Sequence, residues 1–377
     1  MINKVIEHLS RRRDKYGQHR VSVMVGAGFS KNACTIYPSW NELLYDMVVE
    51  LYQEDINVAF KWYLSLNPLT KNSIDVFTKK EVERIISKTG PLKLVSEFIE
   101  RKGFRESIEH YIEERIPYID KVNNLFRFSG KNENKTITII PDYFAAHKKL
   151  VKMRGWNRVY TTNYDKLLEY AAEIDGTEYK SVTNAKDLSV YSDKVTIIKL
   201  HGDLYDPIKS KGKRIYRFDG NPHQQYIISA EDYMDYPKEH EAFTQLMRIY
   251  LLQGVFCLIG FSGDDPNFMN WIEWVRDIIE REFDPSEERD DDYKIYLIGL
   301  SDSLPSQDKL IFYENHSIVY IPLLHDKVKE AIGTDPSNND IRNLFCYFFN
   351  YLEPDEIPQT EEGDDMMDLV LDPSETN

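Results

Sequence analysis

The sequence predicts an α/β fold, a Rossmann-like, doubly wound, mostly parallel six-stranded sheet with a large helical insertion. Three observations predict it. Six short apolar runs rich in Val and Ile occur at Val21–Val25, Asn157–Thr162, Val195–Leu200, Val255–Gly260, Tyr293–Ile298 and Ser317–Ile321. Helical segments separate them, as in a parallel sheet buried on both faces. Four of the runs end in polar clusters, and in such sheets ligands bind at the carboxyl ends of the strands.

Taken in order, residues 1–19 read as an amphipathic helix with Val5, Ile6 and Leu9 on one side and the solvated run Arg11-Arg12-Arg13 beyond. The stretch VSVMVGAGFS, Val21–Ser30, reads as a buried strand, a tight glycine turn and a helix start. Ser39 followed by Glu42 reads as a capping box ahead of Leu43, Leu44 and Met47. From about 41 to 127 the periodicity is helical with little strand signal, too long for a simple crossover. This is the predicted insertion.

A polar loop at 128–138 and a helix at Tyr143–Met153 lead to the second strand, after which Lys166–Ala172 is helical. The third strand is followed by an excursion at 205–228 with a strand pair around Ile215–Phe218 and Gln225–Ile228. Ser229-Ala230-Glu231-Asp232 then reads as the cap of a further helix. The core is expected over about 20–40 and 150–325, within a single domain of residues 1–350.

Composition narrows the class. A chain of 377 residues with 42% hydrophobic and 13% aromatic content has enough apolar matter for a sizeable core. The formal charge of −16 is uneven, because residues 351–377 carry ten acidic groups and no Lys or Arg, which leaves −6 for residues 1–350. That field does not favour nucleic acid, and no direct nucleic-acid site is evident. The first residues lack an apolar signal core and no window is apolar enough to span a membrane, so the chain reads as soluble and cytoplasmic. The three cysteines, Cys34, Cys257 and Cys346, are far apart, giving neither a disulfide framework nor a zinc ribbon. The tail, with Met366, Met367, Leu369, Val370 and Leu371 among its acids, reads as disordered on composition, or as a docking segment that orders on binding.

The polar strand ends carry the candidate chemistry. The turn Gly26-Ala27-Gly28 lacks the third glycine of a dinucleotide fingerprint, since Lys31 stands there. A turn of this kind lets backbone N–H groups at a helix start face an anion. The other ends are Thr161-Thr162-Asn163-Tyr164-Asp165, His201-Gly202-Asp203 and Phe261-Ser262-Gly263-Asp264-Asp265-Pro266.

With GAGFS at 26–30, TTNYD at 161–165, KLHGD at 199–203 and GFSGDD at 260–265, in that order, the chain resembles the sirtuin superfamily. Within it, the segment Pro38-Ser39-Trp40-Asn41-Glu42-Leu43-Leu44 makes it most similar to bacterial sirtuin-like NAD hydrolases of anti-phage defence. The resemblance implies NAD as substrate and cleavage of its nicotinamide–ribose bond. It departs from protein-deacylating sirtuins in lacking the four-cysteine zinc module, so no zinc is expected, and the cofactor loop after the first motif does not match.

By this resemblance Asn163 would hold the ribose hydroxyls or the attacking water, against a helix-cap reading. His201 would be the base, against a structural histidine. Thr162 and Asp165 would line the cofactor, and Asp165 reads equally as a cap of the helix that follows. Gly26, Ala27, Gly28 and Ser30 would carry the pyrophosphate, and Gly260, Ser262 and Asp264 would lie near the adenosine ribose, Asp264 reading equally as a turn residue. Asp203 reads as fixing its loop. The expected activity is NAD glycohydrolysis that depletes NAD in an infected cell, an abortive-infection role held in check by a homo-oligomer or by a HerA-type ATPase partner. Two alternatives stay open: NAD-dependent deacylation or ADP-ribosyl transfer, and a non-catalytic NAD or ADP-ribose sensor.

Overall fold

The computed structural model describes residues 21–66, 74–128, 135–153, 156–204, 226–261, 265–282, 295–300 and 305–353. The expected helix at 1–19, the strand at 215–218, Ser262, Asp264 and the acidic residues beyond 353 lie outside them.

Strand β1 (Val21–Val25) is buried along its whole length and runs through Gly26 into helix α1 (Ala27–Ala33). Helix α2 (Trp40–Leu66) starts at the anticipated capping box. Glu42 Oε2 accepts from the Ser39 N–H at 2.7 Å, and the Glu42 N–H reaches Ser39 Oγ at 3.3 Å. Helices α3 (Ile74–Thr89), α4 (Pro91–Lys102) and α5 (Glu106–Arg115) follow. The insertion is not purely helical, which corrects the sequence reading. It ends in β2 (Tyr118–Asp120) and β3 (Leu125–Arg127), and the stretch 128–138, expected to be a polar loop, carries β4 (Thr136–Thr138), which completes a small antiparallel sheet with them. Strands of three residues are too short to display a period of two, so they left no pattern to read.

Past a 3₁₀ turn at Pro141–Phe144, the chain forms α6 (Ala145–Lys152), β5 (Trp156–Thr161), α7 (Leu167–Asp175), β6 (Tyr179–Val182), α8 (Ala185–Ser189) and β7 (Val195–Lys199). After the excursion come α9 (Ala230–Glu239), α10 (Glu241–Gln253), β8 (Val255–Ile259), α11 (Pro266–Glu282) and β9 (Ile295–Gly299). The described chain closes with α12 (Gln307–Asn315), β10 (Ile318–Pro322), α13 (Asp326–Ala331) and α14 (Ile341–Leu352). Ser229 and Asp232 form the expected capping box on α9. Of the predicted strand at 225–228, Tyr226 makes a single antiparallel bridge to Gly202.

The main sheet is parallel, in the order β10-β9-β8-β1-β5-β7-β6. It has seven strands where six were expected. The extra one, β6, is an edge strand of sequence YKSV with only Val182 fully buried, so it offers no apolar run. Burial on both faces holds for the centre: Val21, Val23 and Val25 enter one core, and Met24 enters the other with Tyr160, Ile198 and Phe256. From β1 the chain builds first toward β6 and then returns to build toward β10. The order therefore reverses at β1 and β8, the place where sheets of this kind open a crevice.

Aromatic and polar contacts bind the outer layers to this frame. Phe345 and Phe349 of α14 meet the Phe29 ring of α1 edge-on at 5.2 and 6.4 Å. The Arg105 guanidinium, at the start of α5, holds Asp232 at 2.8 Å and the Tyr226 carbonyl at 2.6 Å. Ser96 of α4 adds a 2.5 Å hydrogen bond to Glu231. The helical region thus sits on the segment that leads into α9.

Candidate active site

The four motif-bearing strands are consecutive neighbours, β8-β1-β5-β7, and all run the same way. Val25 pairs with Ile259 on one side and Thr161 on the other, and Thr161 pairs with Lys199. Their carboxyl ends therefore share one edge. Asn163 and His201 each stand two residues beyond the Thr161–Lys199 pair. Residues far apart in sequence arrive together because the strands that carry them are in register.

The glycines of the turn serve the packing of the strands. A Cβ on Gly26 would lie 2.5 Å from the Gly260 carbonyl oxygen, and one on Gly28 would lie 3.0 Å from Gly260 Cα. Gly260 itself has φ +60°, and a Cβ there would sit 2.2 Å from the Phe29 nitrogen. The N–H groups of Gly26 and Gly28 donate to the carbonyls of Ile259 and Gly260, and that of Phe29 to Gly26. Much of the expected N–H cradle is thus engaged in closing the turn, and Ala27 opens α1 between the two glycines.

Ser30 is buried, and its hydroxyl joins two motifs. It donates to Asp165 Oδ2 at 2.7 Å and accepts from Asn163 Nδ2 at 2.8 Å. The other Asp165 oxygen accepts the Leu167 N–H at 3.0 Å, at the start of α7. Burial raises the Asp165 carboxyl above its ordinary range, against the pull of Lys199 and the Ser30 hydroxyl. Thr161 Oγ1 donates to the Val25 carbonyl and accepts the Asn163 N–H, both at 3.0 Å, which fixes where the backbone leaves the strand. Thr162, half-buried, lies between these two anchors.

Beneath this loop lies a buried cation. The Lys199 ammonium, at 0% exposure, donates to the backbone carbonyls of Tyr164 and Asp165. It also stands 2.9 Å from Asp203 Oδ1 and 3.5 Å from Glu169. Asp203 reaches Lys166 at 2.7 Å with its second oxygen. Against the upward effect of burial, Lys199 and Lys166 hold the Asp203 carboxyl below its ordinary range. Asp203 ties its loop down, as the sequence suggested.

His201 is 4% exposed, and its backbone carbonyl accepts the Ile227 N–H at 2.9 Å. Its Nε2 is buried without a hydrogen bond, 3.5 Å from Asp265 Oδ2. Burial lowers the affinity of the ring for a proton, an effect that the Asp265 and Asp232 charges oppose. Burial favours the neutral imidazole, a form with one nitrogen lone pair able to take a proton. Asp265 is the site neighbour that sequence reasoning passed over. An Asp before a Pro at a helix start reads simply as a cap, and nothing in the sequence places it beside a histidine 64 positions earlier.

Among the described residues no group of three or more His, Cys, Asp or Glu side chains is disposed to hold a metal ion, and no helix is long and apolar enough to cross a membrane.

Residues 157–321 match the SIR2-like domain family. The matched stretch spans three of the four motif ends, and the sheet sets the fourth, the β1 turn, between two of them. The chain is 23% identical over 225 residues to Defense-associated sirtuin 2 of Bacillus subtilis, covering 58% of this chain and 19% of that protein. It is 24% identical over 238 residues to the NAD(+) hydrolase ThsA of Bacillus cereus (strain MSX-D12), covering 58% of this chain and 46% of that protein. A ThsA of Acinetobacter baumannii (strain 532279), also named an NAD(+) hydrolase, is 28% identical over 123 residues, covering 32% of this chain and 22% of that protein. The chain thus spans less than half the length of each of these relatives. The homology is distant.

Proposed function

We propose that this SIR2-like chain is an NAD glycohydrolase that converts NAD and water to nicotinamide, ADP-ribose and a proton, and that it serves anti-phage defence by depleting NAD. The observation that carries the reading is the meeting of Asn163 and His201 on one sheet edge, with the Asn163 amide held by Ser30. Relatives named as NAD(+) hydrolases support it.

Breaking the glycosidic bond to a cationic pyridinium leaves positive charge on the ribose. The Asn163 amide offers both a donor and an acceptor without a charge that titrates, which suits it to hold the ribose hydroxyls or the water. One of its two Nδ2 hydrogens goes to Ser30, which leaves the second N–H as donor and Oδ1 as the acceptor for that water. As water adds to the ribose carbon it loses a proton, and His201 takes it. A neutral imidazole is the form that can do so. The polar shell formed by Ser30, Asp165, Lys199 and Asp203 keeps Asn163 from turning.

An unchecked enzyme of this kind would kill its own cell, so its activity is gated by assembly, either with itself or with a partner. A HerA-type ATPase is the partner to try first. The test is incubation of the full chain with NAD, alone and with that ATPase, while nicotinamide release is followed in wild type, Asn163→Ala and His201→Ala. Release by wild type and its loss in both variants is the expected result. NAD that binds but is never cleaved, under any condition, would replace this reading with that of a sensor.

A further inference from the structure

Asp265 has more partners than a helix cap needs. Its Oδ1 accepts the Phe268 N–H at 2.9 Å and so opens the first turn of α11. Its Oδ2 accepts from the Tyr233 hydroxyl at 2.9 Å and lies 3.5 Å from His201 Nε2. Two donors from different helices thus prevent the carboxylate from turning away from the imidazole. The ring is boxed in as well: Tyr233 and Tyr236 of α9 meet it edge-on, with centroids at 5.4 and 6.1 Å.

We propose that Asp265 is a positioning residue for His201, holding it in the tautomer with the proton on Nε2 so that the Nδ1 lone pair serves the substrate. This rests on His201 being the base. The chemistry permits one arrangement. A carboxylate oxygen facing an imidazole nitrogen attracts an N–H and repels a lone pair. Among the described residues the other charged or titratable groups near the ring are Asp232, whose carboxylate is paired with Arg105, and His240 at the end of α9. Asp265 is therefore, among the described residues, the carboxylate that faces Nε2 without a cation beside it.

Asp265→Asn separates this role from capping. Its amide oxygen continues to accept from Phe268, while the new NH₂ group faces Nε2 and donates to it, which drives the ring proton to Nδ1. The experiment uses the full chain labelled with ¹⁵N-histidine, the His201 signal being assigned by its loss in His201→Gln. In wild type at neutral pH the imidazole shifts should report the Nε2–H tautomer. Asp265→Asn should switch them to Nδ1–H and lower the His201 titration midpoint by about one pH unit. Nicotinamide turnover should fall on the order of 100-fold or more in kcat, with KM within about threefold.

An Asp265→Asn protein that keeps both the Nε2–H tautomer and wild-type turnover overturns the proposal. If that variant does not fold, Tyr233→Phe decides. Removing the competing hydroxyl leaves Oδ2 to the ring alone, so the His201 midpoint should rise, and an unchanged midpoint overturns the proposal. Should wild type release no nicotinamide, the hydrolase reading fails by itself, and the tautomer measurement still judges the Asp265–His201 link.

Discussion

Ser30 and Asp165 lie 135 positions apart in sequence, yet the serine hydroxyl donates to the aspartate at 2.7 Å. The bond joins α1 to the loop that carries Asn163, and through the same serine oxygen it reaches the Asn163 amide.

Ser30→Ala should therefore reduce activity more than stability. Loss of one partly buried hydroxyl costs about 1–2 kcal/mol, because Asp165 loses a donor. The Asn163 amide would gain freedom to rotate, and nicotinamide release should drop roughly 10–100-fold. A melting curve and a turnover assay on one preparation check this. Turnover equal to wild type would show that the hydroxyl does not orient the amide.

Gly260 and Gly333 form a matched pair. Both have positive φ, +60° and +83°, but a Cβ on Gly260 strikes the backbone of α1 while one on Gly333 meets nothing within 4 Å. Gly333→Ala should cost about 1 kcal/mol, the conformational term alone. Gly260→Ala should cost at least about 3 kcal/mol, since the turn must also move. Equal denaturation midpoints for the two variants would contradict the close packing of the glycines.

His147 predicts acid sensitivity. It is 1% exposed, has no hydrogen bond on either ring nitrogen and packs 4.2 Å from Phe29, and burial lowers its pKa from 6.5 to about 3. Between those values the unfolded chain binds the proton and the folded chain does not, so stability is lost as pH falls through that window. The expected loss from pH 7 to 4 is on the order of 3 kcal/mol. His147→Phe, which keeps a ring of similar size between Phe29 and Phe144, should remove that part of the loss. Urea unfolding of the two proteins at several pH values makes the comparison, and parallel curves would rule it out.

Lys199→Met leaves Glu169 and Asp203 buried without their shared cation. The expected cost is about 3–5 kcal/mol. Asp203 keeps Lys166, so adding Glu169→Gln, which removes the charge that was paired with Lys199, should recover part of it. A double variant no more stable than Lys199→Met would mean that the cluster is not coupled.

The central strands were legible because a parallel strand covered on both faces must be apolar nearly throughout, and VSVMV and VFCLI are. The capping boxes at Ser39 and Ser229 were legible because their bonds span only three positions. The edge strand Tyr179–Val182 escaped because water covers much of it, and α14 was passed over although its Phe345 and Phe349 hold α1 in place. At the site, motif order led to the sheet edge, but the partners of each residue did not follow from it. Ser30 reads as a phosphate-loop hydroxyl and is held by Asp165 and Asn163, while Asp265, one residue of a polar cluster and assigned no role from the sequence, faces His201. Local bonds leave a trace within a few residues, whereas bonds that span a hundred depend on a register that no short window contains.

Arg105 makes the helical layer and the site mechanically continuous. Its guanidinium grips the Tyr226 carbonyl, and the next residue, Ile227, donates its N–H to the His201 carbonyl. A load applied to α5 therefore reaches the backbone of His201 through two hydrogen bonds and one peptide unit. Whatever strains that layer works as a lever whose short arm is the imidazole.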